Sequence, residues 1–288
     1  MSTVLYDVQG PRARRRVLLS SIVGGLVLLA LLAVAARRLH ANGQFEAELW
    51  TPFWQDPRVA QRLLEGLQGT LVAAAYALVL ALALGVVLAF GRLSQSRWAS
   101  MPATAVIEFF RATPLLLLIL GFFLAWPLVV GESLPALYAL VLGLTLYNGA
   151  VIAEIIRAGI LSLPTGQTEA ALAVGLRRGQ VLRMILLPQG VRVMLPALVS
   201  QLVVLLKDSS LGFVIGYAEL LRIGSRVAQN LDNPIQTFTV VAAIYIVINL
   251  ALGRLAGWVE GRQRRRLGTA LGAAPGATGM EQGGAPAA

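Results

Sequence analysis

Long apolar runs alternate with short charged stretches along this chain. A membrane-crossing helix needs about 20 mostly apolar residues, and several runs reach that length. Val17 to Ala36 and Gly66 to Gly91 carry no charge. A third run is free of charge from Ala112 to Gly131, and its helix is expected to begin near Ala103. A fourth extends from Ser133 to Ala153. The fifth starts near Val193 but meets Lys207 and Asp208, so it must continue to Tyr217 to cross. The sixth covers Asn233 to Gly253, with an extension toward Val259. The pattern predicts an all-α integral membrane protein with six transmembrane helices.

Arginine placement orients the spans. Arg12, Arg14, Arg15 and Arg16 precede the first, Arg92 and Arg97 follow the second, and Arg177, Arg178, Arg183 and Arg192 lie between the fourth and fifth. Arg262, Arg264, Arg265 and Arg266 follow the sixth. With six spans these clusters share one side, which the positive-inside rule makes cytoplasmic. Arg37, Arg38, Arg58 and Arg62 fall outside, in a loop they share with Glu46, Glu48, Asp56 and Glu65. Both termini are expected in the cytoplasm. Val17 to Ala36 is long for a signal-peptide core and lacks a small-x-small exit before Arg37, so it reads as a retained span.

Composition agrees. Of 288 residues 57% are hydrophobic and only 13% charged, too few for the surface of a soluble domain this long. The net charge of +10 sits beside apolar runs and reads as topology rather than nucleic-acid binding. There is no cysteine, which excludes disulfides and thiolate metal sites, and His40 is the single histidine. No metal site, no cofactor and no Ser/His/Asp arrangement is expected. No Gly-x-x-x-x-Gly-Lys-Ser/Thr phosphate loop occurs, so energy for any work must come from a partner.

The loop between the fourth and fifth spans carries Glu169-Ala170-Ala171, then Gly175, then Ile185-x-Leu187-Pro188. Pro164-Thr165-Gly166 reads as a turn. Thr165 or Thr168 could cap a helix there, with Glu169 in its first turn, where a carboxylate suits the dipole. Ala170, Ala171 and Ala173 let another surface approach closely, and Gly175 permits a left-handed stop. Leu176, Val181, Leu182, Ile185 and Leu186 form an apolar stripe at helical spacing. Pro188 is expected to break that second short helix and redirect the chain. An interfacial amphipathic helix without a partner is the alternative.

That spacing resembles the EAA loop of ABC importer permeases, where a cytoplasmic coupling helix docks onto an ATPase. The resemblance implies the type I importer permease fold and assigns Gly166, Gln167, Glu169, Ala170, Ala171 and Gly175 to ATPase coupling. It narrows further. Arg111-Ala-Thr-Pro114 followed by Leu115-Leu116 looks like a motif of the polar amino acid permeases, with Ala112 in place of the usual glycine. Tyr147-Asn-Gly-Ala-Val-Ile-Ala-Glu154-Ile-Ile-Arg157-Ala-Gly159, Leu187-Pro188-Gln189 and Lys207-Asp208-Ser-Ser-Leu211 continue the match. Thr3-Val-Leu-Tyr-Asp7 and Asn42-Gly-Gln-Phe-Glu-Ala-Glu48-Leu-Trp50 look like the second permease subunit of Gram-positive glutamate uptake systems.

The implied organisation has a basic cytoplasmic N-terminus (1–16), an extra first helix (17–36) and an extracytoplasmic loop (37–65). A five-helix permease core (66–260) follows, containing the EAA loop (160–192), and then a disordered cytoplasmic tail (261–288). The implied partners are an ATPase dimer, a second permease subunit in a heterodimer or a homodimer, an extracytoplasmic substrate-binding protein and the bilayer. The implied substrate is glutamate or a related polar amino acid. A permease for another polar solute and an ion-coupled secondary transporter are the alternatives. The latter leaves the EAA spacing unexplained.

Charges inside spans single out further residues. Lys207 and Asp208 are costly at membrane depth and need a partner, a cavity or the bundle interior. As helical neighbours they point about 100° apart and cannot pair with each other. Asp208, Ser209 and Ser210, with Lys207, either line a substrate path or pin the fifth span. Asn148 is a weaker path candidate, with interhelical hydrogen bonding as the alternative. Glu154 and Arg157 read as an intrahelical pair, as do Glu108 and Arg111, with a gate or ATPase contact as the other possibility. Pro114 could kink the third span. Arg222 and Arg226 fall outside after the fifth span and could attract an anionic substrate or an acidic protein surface.

Overall fold

The computed structural model describes residues 10–272, and every regular element among them is helical. The principal helices are α1 (Pro11–Ala41), α2 (Pro57–Leu93), α3 (Arg97–Ala112), α4 (Leu115–Val130) and α5 (Ala136–Leu161). They continue with α6 (Thr165–Ala173), α7 (Leu187–Asp208), α8 (Leu220–Leu231) and α9 (Pro234–Gly272). Five helical stretches are long and apolar enough to cross a membrane, and α3 with α4 makes a sixth if that bent pair is one span.

The centre of the molecule is the contact between α2 and α5, the most extensive in the fold. The buried face of α2 is made of small residues: Gly66, Thr70, Ala73, Ala77, Ala81 and Gly85. In lipid, apolar side chains gain nothing by leaving their solvent, so close backbone packing has to hold helices together. A Cβ on Gly85 would lie 2.5 Å from Ile152 Cγ2 and 3.0 Å from the Gly149 carbonyl oxygen. A Cβ on Gly149 would lie 2.9 Å from Leu84 Cδ2. Around this seam Leu140, Leu144, Ile152, Ile119, Ile107 and Leu205 close the core.

Several boundaries differ from the sequence expectation. The third span is not one rod: α3 and α4 meet at 97° across Thr113-Pro114. Thr113 is extended (φ −84°, ψ 128°), the conformation the following proline ring imposes. The second span begins at Pro57, so the end of the expected 37–65 loop is already helix. Pro188 does not redirect the chain. The helix continues from Arg178 to Ile215 as one crossing. A π-helical turn, Val181–Leu186, loosens the backbone where the proline ring would clash with the carbonyl of Met184. The last helix runs to Gly272, so the expected unstructured tail does not begin at 261. Residues 273–288 of that tail, and the Thr3 to Asp7 motif, lie outside the described residues.

The amphipathic α8 has no counterpart in the hydropathy reading, because half of its surface is polar. It buries Leu220, Ile223, Gly224, Val227 and Ala228 against α2 and α9. Two amides tie the 42–56 loop to the start of α9: Asn233 Nδ2 donates to the Leu49 carbonyl at 2.9 Å, and Gln236 Nε2 to that of Gln44 at 2.7 Å. Helix α1 buries none of its residues against the rest of the chain.

Replacing Gly85 by leucine overpacks the α2–α5 seam and should cost about 1–3 kcal/mol. The expected outcome is loss of monodisperse elution at a lower temperature than wild type when the detergent-solubilised protein is heated. Unchanged heat resistance would show that the seam is looser than its geometry.

Candidate functional site

Helix α6 starts at Thr165 directly after Pro164, without a side-chain cap from Thr165 or Thr168. Glu169 consequently sits in its second turn, not its first. The helix ends in a Schellman motif: Leu176 N–H donates to the Ala171 carbonyl at 3.2 Å and Gly175 N–H to that of Leu172 at 3.0 Å. Gly175 adopts φ +82°, a left-handed turn that suits glycine. Gly166, Glu169, Ala170 and Gly175 are exposed, while Ala171 is buried, and the helix packs against the π-helical turn Val181–Leu186. Gln167 is half-buried, with its amide oxygen enclosed and without a hydrogen bond. Val174, which carries no part of the motif, stands 78% exposed one turn after Ala170, to whose carbonyl its N–H donates. The result is a short, stiff knob with a small-residue surface and an apolar tip.

At the same end of the bundle lies an ion cluster. Arg92, in the last turn of α2, donates to Glu154 Oε1 at 2.6 Å and lies 3.0 Å from Glu108. Arg157 meets Glu154 at 3.1 Å, the intrahelical pair read from spacing. Arg111 stands 3.9 Å from both Glu108 and Glu154. The structure therefore joins both expected pairs into one cluster, with Arg92 and Glu154 at its centre. Arg92 had registered only as a topology marker, because its partner is distant in sequence. Pro114 stands at the bend between α3, which carries Glu108 and Arg111, and α4.

The other half of the molecule carries the residues expected near a path. The helix tightens from α to 3-10 geometry at Ser209 and stays so to Ile215. Ser209 is fully buried and donates its hydroxyl to the Leu206 carbonyl, and Ser210 donates to that of Lys207. Lys207 and Asp208 do not pair, and no other side chain among the described residues pairs with either. Lys207 and Ser210 line a groove of about 720 Å³ between α7 and α9, whose walls include Val203, Phe238, Tyr245 and Asn249. Asn148 is fully buried and accepts from Gln201 Nε2 at 2.7 Å, bonding α5 to α7.

Glu219 was not singled out in the sequence, yet its carboxylate is fully buried at the start of α8. It accepts from the backbone N–H groups of Leu221 (2.8 Å) and Arg222 (2.6 Å) and from the Tyr245 hydroxyl (2.9 Å). Burial pushes its pKa up, and those hydrogen bonds hold it back. Beside it, Leu220 N–H donates to Thr70 Oγ1 and the Tyr217 hydroxyl to the Gly69 carbonyl. Arg222 lies 5.5 Å over the Phe213 ring, and its Nε is enclosed without a hydrogen bond. A lone acid in a short loop gave no periodic signal to find it by.

The family model for the inner membrane component of binding-protein-dependent transport systems matches residues 81–265, which hold both the α6 knob and the Lys207 segment. The chain belongs to that family. The permease is 45% identical over 236 residues to a glutamate transport system permease protein of Corynebacterium glutamicum, covering 80% of this chain and 86% of that one. It is 32% identical over 216 residues to a glutamine transport system permease protein of Escherichia coli, covering 75% and 97%. Its fold matches an amino acid ABC transporter with histidines at a TM-score of 0.68 and 31% identity, covering 71% of this chain and 95% of that one. A methionine ABC transporter in an inward-facing conformation shares the fold at a TM-score of 0.61 and 23% identity.

In the permease, Glu219→Ala leaves the Tyr245 hydroxyl and two backbone amides without their acceptor. Stability should fall by about 1–3 kcal/mol, read by the same heating series in detergent, with Glu219→Gln falling less. Equal stability of Glu219→Ala and wild type would mean that water replaces the carboxylate.

Proposed function

We propose that this chain is a permease subunit of an ATP-binding-cassette importer for glutamate or a related polar amino acid, driven by ATPases docked at the α6 knob. The observation that carries the reading is the knob itself. Glu169, Ala170 and Val174 are all exposed, on a helix too short to bury a core, in the loop whose spacing matches the coupling motif. The name of the Corynebacterium relative supports glutamate as substrate.

The knob and the arginine-rich loops lie in the cytoplasm in this reading, with both termini, and the α8 end faces outward to a substrate-binding protein. A second permease subunit, in a heterodimer, completes the path. Coupling runs through Gly166, Gln167, Glu169, Ala170, Ala171 and Gly175. ATP-driven closure of the two ATPases displaces two such knobs and opens the path to one side and then the other. Lys207 and Asp208 offer complementary charges to an amino acid: the ammonium of Lys207 for a carboxylate, the carboxylate of Asp208 for the α-ammonium. Ser210, on the groove, adds a hydroxyl, while Ser209 and Asn148 hold the wall behind it.

Two experiments test this. Tagged wild type is expected to bring an ATPase out of gently solubilised membranes, and Glu169→Lys to lose it; a wild type that brings down none sinks the importer reading. In reconstituted vesicles, Lys207→Gln should raise the glutamate concentration for half-maximal uptake roughly tenfold, the worth of a charge-assisted hydrogen bond. An unchanged value would remove Lys207 from the path.

A further inference from the structure

The ion cluster reaches beyond the helices that bear it. Two residues past the end of α2, the chain turns through Ser94-Gln95-Ser96 into α3. With the Gln95 amide oxygen facing Arg178, it accepts from Arg178 Nη1 at 2.5 Å and from Nε at 3.1 Å. Arg178 opens the helical stretch that follows Gly175, so it belongs to the same loop as the knob. One elbow therefore touches the knob loop on one side and, through Arg92, the cluster on the other.

The cluster's charge count makes it a tie between helices. It holds three arginines and two glutamates, and Glu154 faces all three guanidinium groups. Arg92 in turn bridges Glu154 on α5 and Glu108 on α3. The side chains of Arg92 and Glu154 are only 18% and 17% exposed, so water screens that contact little. Removing Arg92 releases Glu108 from α2. It also leaves Glu154 with partners on its own helix and a distant one on α3. Helix α3 then leads at 97° into α4, so a small rotation of α3 becomes a swing of α4.

We propose that the α2–α3 elbow is a second transmission route from the knob into the membrane. Displacement of the knob loop passes through Arg178 to Gln95. Arg92 passes it to Glu108 and Glu154, so that α2, α3 and α5 turn as one lever and carry α4 with them. Arg92 and Gln95 are positioning residues, since neither touches substrate. The proposal rests on the knob being the ATPase dock.

The test uses the complete transporter, co-purified with its ATPase and binding protein and reconstituted in vesicles. Uptake of radiolabelled L-glutamate and ATP hydrolysis are measured on the same vesicles. In Arg92→Gln, glutamate moved per ATP hydrolysed is expected to fall about fivefold or more, the low end of ordinary coupling between sites. ATPase content and hydrolysis should persist. Arg92→Lys should recover most of the loss. Gln95→Ala, an exposed change that does not threaten folding, should fall in the same direction. A wild-type ratio in both Arg92→Gln and Gln95→Ala overturns the lever while leaving the docking reading intact. If Arg92→Gln fails to assemble, a wild-type ratio in Gln95→Ala alone overturns it. A wild-type complex without ATPase overturns both.

Discussion

In a bilayer no water drives apolar side chains together, so α2 and α5 hold because their backbones can touch. Gly85 and Gly149 remove the side chains that would keep them apart, and the alanines at 73, 77 and 81 continue the same narrow face. The polar contacts at both ends of α2 hang from that seam. It brings Arg92 to Glu154 at one end, because both helices finish there. Further along α2 it presents Gly69 and Thr70, whose polar atoms receive Tyr217 and Leu220. A wider seam would lose both sets of contacts at once.

Polar groups do the remaining work of alignment, and two of them are matched by neighbouring elements. Asn148 accepts from Gln201 across α5 and α7. Glu219 satisfies two orphan amides at the start of α8 and a hydroxyl from α9. An unpartnered acid would be expensive there; a capped one fixes the angle at which the chain leaves the fifth span. Directional bonds of this kind set register where lipid-like packing alone would allow sliding.

How legible this was depended on what each residue's signal measures. Hydropathy reports the length of an apolar run and not its direction, so it located the third apolar run but could not see the bend at Thr113-Pro114. Proline propensity misled at Pro188, because a π-helical turn can absorb the ring and keep the helix whole. The knob was readable because its chemistry is local: a small-residue helix, a glycine stop and an apolar stripe within one loop. Arg92 and Glu154 are each visible as charges, but their meeting depends on a seam of glycines that no window on either residue contains. Helix α8 and Glu219 were missed for the complementary reason: the helix is half polar, and a single acid has no period.

The uncovered parts of the chain share one property. Helix α1 buries nothing, Val174 projects from the knob, and Lys207 faces an apolar groove with no acid paired to it among the described residues. An apolar helix can be satisfied by lipid, and an exposed valine at a loop tip costs little. An ammonium on an apolar groove is different, because neither lipid tails nor any carboxylate among the described residues pairs with it. Asp208 is its neighbour in sequence but points about 100° away around the helix, so the two do not neutralise each other. Two adjacent charges of opposite sign without an ion pair among the described residues are poor architecture for a closed fold. In the proposed path they are the charges a zwitterion would meet, since charges already neutralised within the protein would have nothing left to offer it.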